Sequence, residues 1–221
     1  MRTKQDTLTI VTRLKAEYPL AACSLQYEEA WQLLVAVRLS AQCTDARVNI
    51  VAADLFAKYP TLARFAAAGP DAIEAIVRPC GLGKSKARDL AAMTNMLLTT
   101  FDGHVPESMD ALLSLPGVGR KSANLIRGDV FHLPAVVADT HCIRLANRIG
   151  FVSDTTDPVQ VERALVKVLP AEESSDYCHR CVIHGRAVCT ARKALCEICC
   201  LQDICRTGKK TIKQENLEES S

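Results

Sequence analysis

The sequence lacks a long apolar run, an excess of charge of one sign and any low-complexity block. No apolar segment approaches the roughly 18 to 20 residues that span a bilayer, which excludes a transmembrane helix. The formal net charge of +2 over 221 residues is small, whereas nucleic-acid-binding domains are usually strongly basic. Any case for a nucleic-acid partner must therefore come from local motifs.

The first residues also lack the apolar core of a secretory signal peptide. We therefore expect a cytoplasmic protein, in which thiols stay reduced. A disulfide framework is then not expected, although the chain has eleven cysteines. Five of them fall within segment 189–205, and this crowding indicates a metal site.

Sustained strand alternation is absent too, and apolar residues recur at helical spacing along most of the chain. Thr44 is suited to cap one helix, and Asp157 before Pro158 is typical of the start of another. The sequence therefore predicts an all-α protein. The clearest helices are predicted at 28–40, 85–101, 120–131, 140–148 and 159–169.

The segment Leu115–Ala123 lies between two predicted helices and contains a tight turn. Gly117 and Gly119 flank a single apolar residue, and glycine tolerates a positive φ. The helix that starts at Arg120 then has outward-facing backbone N–H groups, which bind phosphate. An ordinary connection between packed helices is the alternative, but the segment resembles the helix-hairpin-helix motif. Gly117, Gly119 and Arg120 are therefore predicted to contact a DNA backbone.

Four segments carry a wider resemblance: 39–45, the hairpin at 115–123, 137–141 and the cysteines of 189–205. In this order they resemble the endonuclease III branch of the helix-hairpin-helix DNA glycosylases, over roughly residues 5–207. The resemblance implies a base-excision repair enzyme that removes damaged bases, with oxidised pyrimidines the expected class, and cleaves the abasic site by β-elimination. It further implies duplex DNA as partner, a 4Fe–4S cluster as cofactor, and a monomer that associates with the nucleoid if the cell is bacterial.

The resemblance assigns the catalytic roles to Lys121 and Asp139. A neutral lysine amine can attack the sugar carbon, expel the base and form a Schiff base. A carboxylate can assist proton transfer and stabilise positive charge that develops on the sugar. The alternatives are that Lys121 only pairs with phosphate and that Asp139 only caps a helix.

The same resemblance implies that four more side chains act on the DNA. Gln42 would occupy the space left by an extruded base, and Leu82 would wedge into the duplex. A buried anchor is the alternative for Leu82, and Gly83 departs from the larger residue usual in the family. Arg192 and Lys193, in the first loop of the cysteine cluster, would bind phosphate.

Cys189, Cys196, Cys199 and Cys205 are separated by six, two and five residues. Four thiolates at such spacing can hold a 4Fe–4S cube, and the resemblance implies that they do. No role is evident for Cys200.

A structural zinc site is the alternative for the cysteines. The C-x-x-C pairs at 178/181 and 196/199 have the spacing typical of zinc ligands. Zinc would leave the first and last cysteines of 189–205 unexplained. Cys178 and Cys181 also fall in a predicted helix, where they are expected to pack as small apolar residues. We therefore favour the iron–sulfur interpretation.

Two helical domains are expected, with DNA in the cleft between them. The first comprises residues 23–133 and contains the hairpin at about 112–131. The second combines residues 1–22 with 134–207, and 208–221 form a polar, frayed tail.

Two rival functions remain open at this point. A monofunctional adenine glycosylase of the same superfamily would generally lack a lysine at position 121 and carry a further domain. A non-catalytic DNA-binding or zinc-scaffold protein would release no base, and its purified form would be colourless.

Overall fold

The structure, a computed structural model, describes residues 2–218. Within this range all regular elements are helical, apart from an isolated bridge between Cys189 and Ala194. The predicted all-α class is confirmed. None of the described helices is both long and apolar enough to span a membrane.

The chain divides into two compact units. One runs from Cys23 to His132, and the other joins the chain up to Ala22 with the chain from Leu133 onward.

The central unit is built around a helix that is apolar on nearly all faces, α2. A helix of this composition lies inside a core rather than on its surface. Helices α3, α6 and α8 pack against it, and the Trp31 ring meets Phe65 edge to face at 5.6 Å between centroids. The helices of this unit are α2 (Ala30–Leu39), α3 (Asp45–Lys58), α4 (Leu62–Ala67), α5 (Gly69–Val77), α6 (Gly83–Thr100), α7 (Met109–Ser114) and α8 (Arg120–Asp129), with a 3₁₀ turn at Arg78–Cys80.

The other unit is organised around α9, which contacts α10, α11 and α12. Helix α1 docks on α11, and Lys15 pairs with Glu173, which also accepts from the buried Arg180. The helices of this unit are α1 (Lys4–Glu17), α9 (Thr140–Ile149), α10 (Pro158–Val166), α11 (Ser174–Ala187) and α12 (Arg206–Glu218), with 3₁₀ turns at Ala171–Glu173 and Cys196–Ile198.

The predicted helix starts have a local physical basis. Thr44 caps α3 by accepting from the Arg47 amide at 3.3 Å. Asp157 caps α10 by accepting from the Val159 amide at 2.8 Å. Both caps satisfy N–H groups that have no partner inside the helix, so these two boundaries follow from the sequence.

The polar C-terminal segment differs from the expected frayed tail, because residues 206–218 form helix α12. Its first turn is tied to the end of α9. Arg206 Nη2 donates to the carbonyl of Asn147 at 2.7 Å, and Thr207 Oγ1 donates to that of Arg148 at 3.1 Å. Tertiary contacts thus order a segment whose composition alone does not predict a stable helix.

Candidate functional site

The predicted hairpin is the turn between α7 and α8. The Val118 amide donates to the Leu115 carbonyl at 3.1 Å, and both side chains are buried. Gly117 has a φ of +77°, in the left-handed region that glycine adopts without strain. The two apolar anchors therefore leave Gly117 and Gly119 exposed on the surface.

Gly117 also lies directly against an ion pair. A β-carbon at this position would be 2.8 Å from Cδ and Nε of Arg38 and 3.0 Å from Cβ of Asp89. These two side chains are paired, with Arg38 Nη2 at 2.6 Å from Asp89 Oδ2. The position thus requires glycine both for its backbone conformation and for space.

Helix α8 begins without a side-chain cap. Its N-cap, Gly119, has an extended backbone and offers no side-chain hydrogen bond. The first N–H groups of a helix have no partner inside it and attract anions. Arg120 and Lys121 are the first two residues of this helix, and both are exposed. This helix end can bind a phosphate and presents a primary amine beside it.

Asp139 is the N-cap of α9. Its Oδ1 accepts from the Cys142 amide at 2.7 Å. The buried segment 135–138 leads into it and is anchored by the Ala135 amide, which donates to Ser174 Oγ at 3.1 Å. The capping role is therefore present. Capping uses only Oδ1, so it is compatible with a second role for this carboxylate.

His141 lies two residues beyond this carboxylate. Burial lowers the pKa of His141, nearby Asp139 opposes this effect, and Arg144 adds to it. Arg144 Nη2 lies 3.1 Å from His141 Nδ1, which favours the neutral tautomer with its proton on Nε2. The imidazole is thus neutral at neutral pH and adds no positive charge beside Asp139.

Gln42 and Leu82 share a backbone conformation that is uncommon outside glycine. Their φ angles are +55° and +52°, in a region that costs roughly 1 to 2 kcal/mol for other residues. Asp102, His132 and Asp154 share this conformation, so the backbone angle alone does not mark a functional residue. Leu82 is 55% exposed, so it is not the buried anchor that was the alternative.

Cys189, Cys196, Cys199 and Cys205 line a single pocket in the C-terminal part of the chain. Two nitrogen donors face their sulfurs. Arg148 Nη1 lies 3.3 Å from the Sγ of Cys189, and the Leu201 amide lies 3.4 Å from that of Cys199. Hydrogen bonds from nitrogen to sulfur stabilise thiolates, which are the form that binds metals.

A histidine completes the wall of this pocket. His184 is buried, and its Nε2 lies 3.4 Å from Cys199 Sγ. Its Nδ1 lies 2.9 Å from the hydroxyl of Tyr18. His184 is thus contacted by Tyr18 and Cys199, both from outside its own helix α11.

Cys178 and Cys181, the other pair of the zinc alternative, do not line the pocket. Cys178 Sγ accepts from the Val137 amide at 3.2 Å and donates to the Ser174 carbonyl at 3.3 Å. Contacts with both thiols, together with burial, raise the pKa of Cys142. Across residues 2–218 no three histidine, cysteine or acidic side chains are arranged around one ion position. The hydrogen bonds of Cys178, and the position of both thiols outside the pocket, disfavour the zinc pairing.

Comparison with known proteins bears on what this arrangement does. Residues 35–171 match the family described as HhH-GPD superfamily base excision DNA repair protein. The chain belongs to this family. This match covers the hairpin, the segment of Asp139, and Gln42 and Leu82.

Relatives within the HhH-GPD family are similar over almost the whole chain. Endonuclease III of Synechocystis sp. is 42% identical over 207 residues, which cover 93% of this chain and 94% of the relative. Endonuclease III of Escherichia coli K12 is 38% identical over 207 residues, which cover 94% and 98%. The predicted resemblance to endonuclease III is thus confirmed, and with it the activity of a DNA glycosylase and abasic-site lyase in base-excision repair.

Solved structures agree with these relatives. A trapped covalent intermediate of endonuclease III with DNA superposes with a TM-score of 0.88 at 40% identity, covering 96% of this chain and 100% of the other. A thermostable thymine-DNA glycosylase superposes with a TM-score of 0.83 at 20% identity, covering 93% and 98%, and shows a shared fold alone.

In this HhH-GPD chain the loop of Arg192 and Lys193 is held by hydrogen bonds from Arg148 and by one within the loop. Arg148 donates to the carbonyl of Thr190 at 2.6 Å and to that of Ala191 at 3.1 Å. The Lys193 amide donates a hydrogen bond to Thr190 Oγ1 at 3.2 Å. Both basic side chains are exposed, as phosphate contacts require.

Three residues of this environment were not predicted: Lys86, Arg148 and His184. Lys86 is fully buried in the central unit, and the other two surround the cysteine sulfurs. Each acts on residues far away in the sequence. Helical periodicity alone does not reveal such contacts.

Proposed function

We propose that this repair enzyme excises damaged bases, with oxidised pyrimidines the expected class, from duplex DNA through Lys121. The observation that carries the proposal is the exposed, uncapped start of α8, where Lys121 stands beside Arg120 and the turn of Gly117 and Gly119. A helix start of this kind binds a DNA phosphate, and the backbone on either side of the lesion is thereby held against the amine.

The neutral Nζ of Lys121 attacks C1′ of the damaged nucleotide while the bond from C1′ to the base breaks, and the departing base takes a proton from solvent. One proton of the attached amine then passes to O4′ as the C1′–O4′ bond breaks. The sugar ring opens, and the nitrogen remains joined to C1′ as a protonated Schiff base. Loss of a C2′ proton then drives cleavage of the C3′–O bond, which breaks the strand. Water finally hydrolyses the Schiff base and restores the amine.

The Asp139 carboxylate is proposed to assist these proton transfers and to stabilise positive charge on the sugar. Its backbone is fixed by the α9 cap and by the buried segment that precedes it. Burial lowers the pKa of His141, so this neighbour adds no positive charge beside Asp139 at neutral pH. Gln42 and Leu82 are proposed to occupy the duplex when the base is extruded.

Cys189, Cys196, Cys199 and Cys205 are proposed to hold a 4Fe–4S cluster. The set fits this cofactor because all four thiols line one pocket, with nitrogen donors at the sulfurs of Cys189 and Cys199. These four side chains would hold the cluster through their thiolates. When bound, the cluster supplies a structural anchor for the loop of Arg192 and Lys193.

Borohydride trapping on lesion-bearing duplex DNA tests the assignment of Lys121, since the reagent reduces the Schiff base to a stable cross-link. Lys121→Gln should bind the duplex but form no cross-link, because glutamine keeps the helix and its N–H groups but cannot form the imine. Lys58→Gln, an exposed lysine at the end of α3, is the control and should be trapped like the parent. Trapping of Lys121→Gln would mean that the nucleophile lies elsewhere.

A further inference from the structure

The two segments proposed to enter the duplex each follow the end of a helix. Gln42 comes three residues after Leu39, the last residue of α2, and Leu82 comes two residues after Cys80, the last of the 3₁₀ turn. Both proposed insertion residues have left-handed backbones. A strained conformation persists only where surrounding contacts hold it.

One buried side chain contacts both helix ends. The Nζ of Lys86 donates to the Leu39 carbonyl at 2.8 Å and to the Cys80 carbonyl at 2.7 Å. The last carbonyls of a helix have no partner inside it and carry partial negative charge, which a cation stabilises. Lys86 therefore caps both helix ends with one ammonium group.

The backbone of Lys86 reinforces this link. Its amide donates to the Leu82 carbonyl at 3.0 Å, so the same residue closes the first turn of α6 at its N-cap. The Cys43 thiol also contacts the Cys80 thiol, and burial with this contact raises the pKa of Cys80 to about 11. The Cys80 thiol is therefore neutral. The segments of Gln42 and Leu82 meet at Lys86.

Burial of this ammonium is costly. Lys86 has no exposed surface, and burial lowers its pKa. The Nζ of Lys86 donates to two backbone carbonyls rather than to carboxylates. An apolar side chain would fill this volume without the cost of desolvation, so the charged group is best explained by what it holds in place.

We propose that Lys86 is a positioning residue that couples the segments of Gln42 and Leu82, so that the two side chains enter the duplex as one unit. The proposal rests on the insertion roles given under the proposed function. Lys86 itself touches no DNA in this scheme. It sets the separation of two helix ends, and each end sets the backbone of one inserted side chain.

Lys86→Met tests this role, because methionine keeps much of the apolar stem and removes the ammonium. Base extrusion is followed by stopped-flow fluorescence of 2-aminopurine placed beside a lesion. Extrusion should slow about tenfold or more, as expected on loss of a charge-assisted hydrogen bond. Borohydride trapping on a single-stranded abasic oligonucleotide should change by less than about twofold, since no base stack needs to be opened there.

A double-mutant cycle separates positioning from general stability. Leu82→Ala and Gln42→Ala should each slow extrusion in the native background and have much smaller effects beside Lys86→Met, because coupled residues are not additive. Fully additive effects would overturn the role of Lys86 and leave the insertion roles intact. If neither alanine variant slows extrusion in the native background, the insertion roles and the coupling both fail.

Thr94→Val is the matched control. Thr94 is a buried residue of the same helix whose hydroxyl bonds only within α6, so this change lowers stability without reaching either segment. It should leave extrusion and the cycle unchanged. Lys86→Arg, which retains the charge and the donors, keeps the test available if Lys86→Met does not fold. It should preserve the coupling, and loss of coupling in a folded Lys86→Arg would overturn the proposal.

Discussion

At the residue scale, Asp139 combines two demands on one carboxylate. One oxygen caps α9 through the Cys142 amide, while the proposed catalytic role requires the negative charge. Asparagine satisfies the first demand about as well as aspartate does, but not the second. The two roles are therefore separable by substitution.

We expect Asp139→Asn to keep the melting temperature and DNA affinity but to lose most base release, because charge is removed at nearly constant shape. Asp139→Ala should lose the cap as well, at about 1 kcal/mol of stability. Thermal melting and single-turnover base release measure the two effects. An active Asp139→Asn beside an inactive Asp139→Ala would reduce Asp139 to a helix cap.

The exposed cations of the cysteine loop give a second prediction at this scale. Arg192→Ala and Lys193→Ala should each weaken duplex binding without changing lesion preference. Each should lower the slope of log affinity against log salt by roughly one unit, as expected for one lost phosphate contact. Fluorescence titration at several salt concentrations measures the slope, and an unaltered slope would show that the side chain does not contact the backbone.

At the scale of elements, the hairpin depends on one glycine for its shape and on another for its open surface. Gly117 has a positive φ and lies against Arg38. Gly119 has a φ of −98°, and a β-carbon there would meet no atom within 4 Å. The two glycines therefore differ in what a methyl group would disturb.

Gly117→Ala should destabilise the protein by about 1 to 3 kcal/mol through overpacking and backbone strain. Gly119→Ala should melt like the parent and yet bind DNA less tightly, since its methyl group would stand where a phosphate approaches. Denaturant unfolding and duplex titration distinguish the two. Equal loss of stability in both variants would contradict this account of the turn.

At the scale of the whole molecule, the cysteines separate into two sets that the sequence places close together. One set lines the pocket of Cys196, while Cys178 receives the Val137 amide and packs against Cys142. The first set is suited to a cofactor. The second holds the buried segment that leads to Asp139.

Purified protein should therefore contain about four irons and four sulfides per chain and be yellow-brown. Cys196→Ser should lose iron and unfold the C-terminal region, whereas Cys178→Ser, which retains a donor and an acceptor for its two backbone partners, should be mild. Metal analysis and melting measure both. Stoichiometric zinc without sulfide, or the reverse order of severity, would favour the zinc pairing.

Features that depend on near neighbours in the chain could be predicted from the sequence alone. Helix starts at Thr44, Asp139 and Asp157 follow from side chains that reach N–H groups two or three residues away. The hairpin turn likewise needs only two glycines and two apolar anchors within a few residues. Motifs of this length can be recognised in the sequence because both partners of each interaction lie in the same segment.

Contacts between residues far apart in the sequence are visible only in the tertiary structure. In the sequence, Lys86 resembles any other lysine of an amphipathic helix. In the structure, its ammonium donates to the carbonyl of Leu39, 47 positions earlier, and to that of Cys80. In the sequence, Arg148 resembles a surface residue near a helix end. In the structure, its guanidinium contacts the Cys189 sulfur and donates to the Thr190 carbonyl in the loop that follows. Helix α12 forms where composition indicated a frayed tail, because α9 offers carbonyls to Arg206 and Thr207. In each case a group is satisfied by a partner from another element, and only the packed core brings the two together.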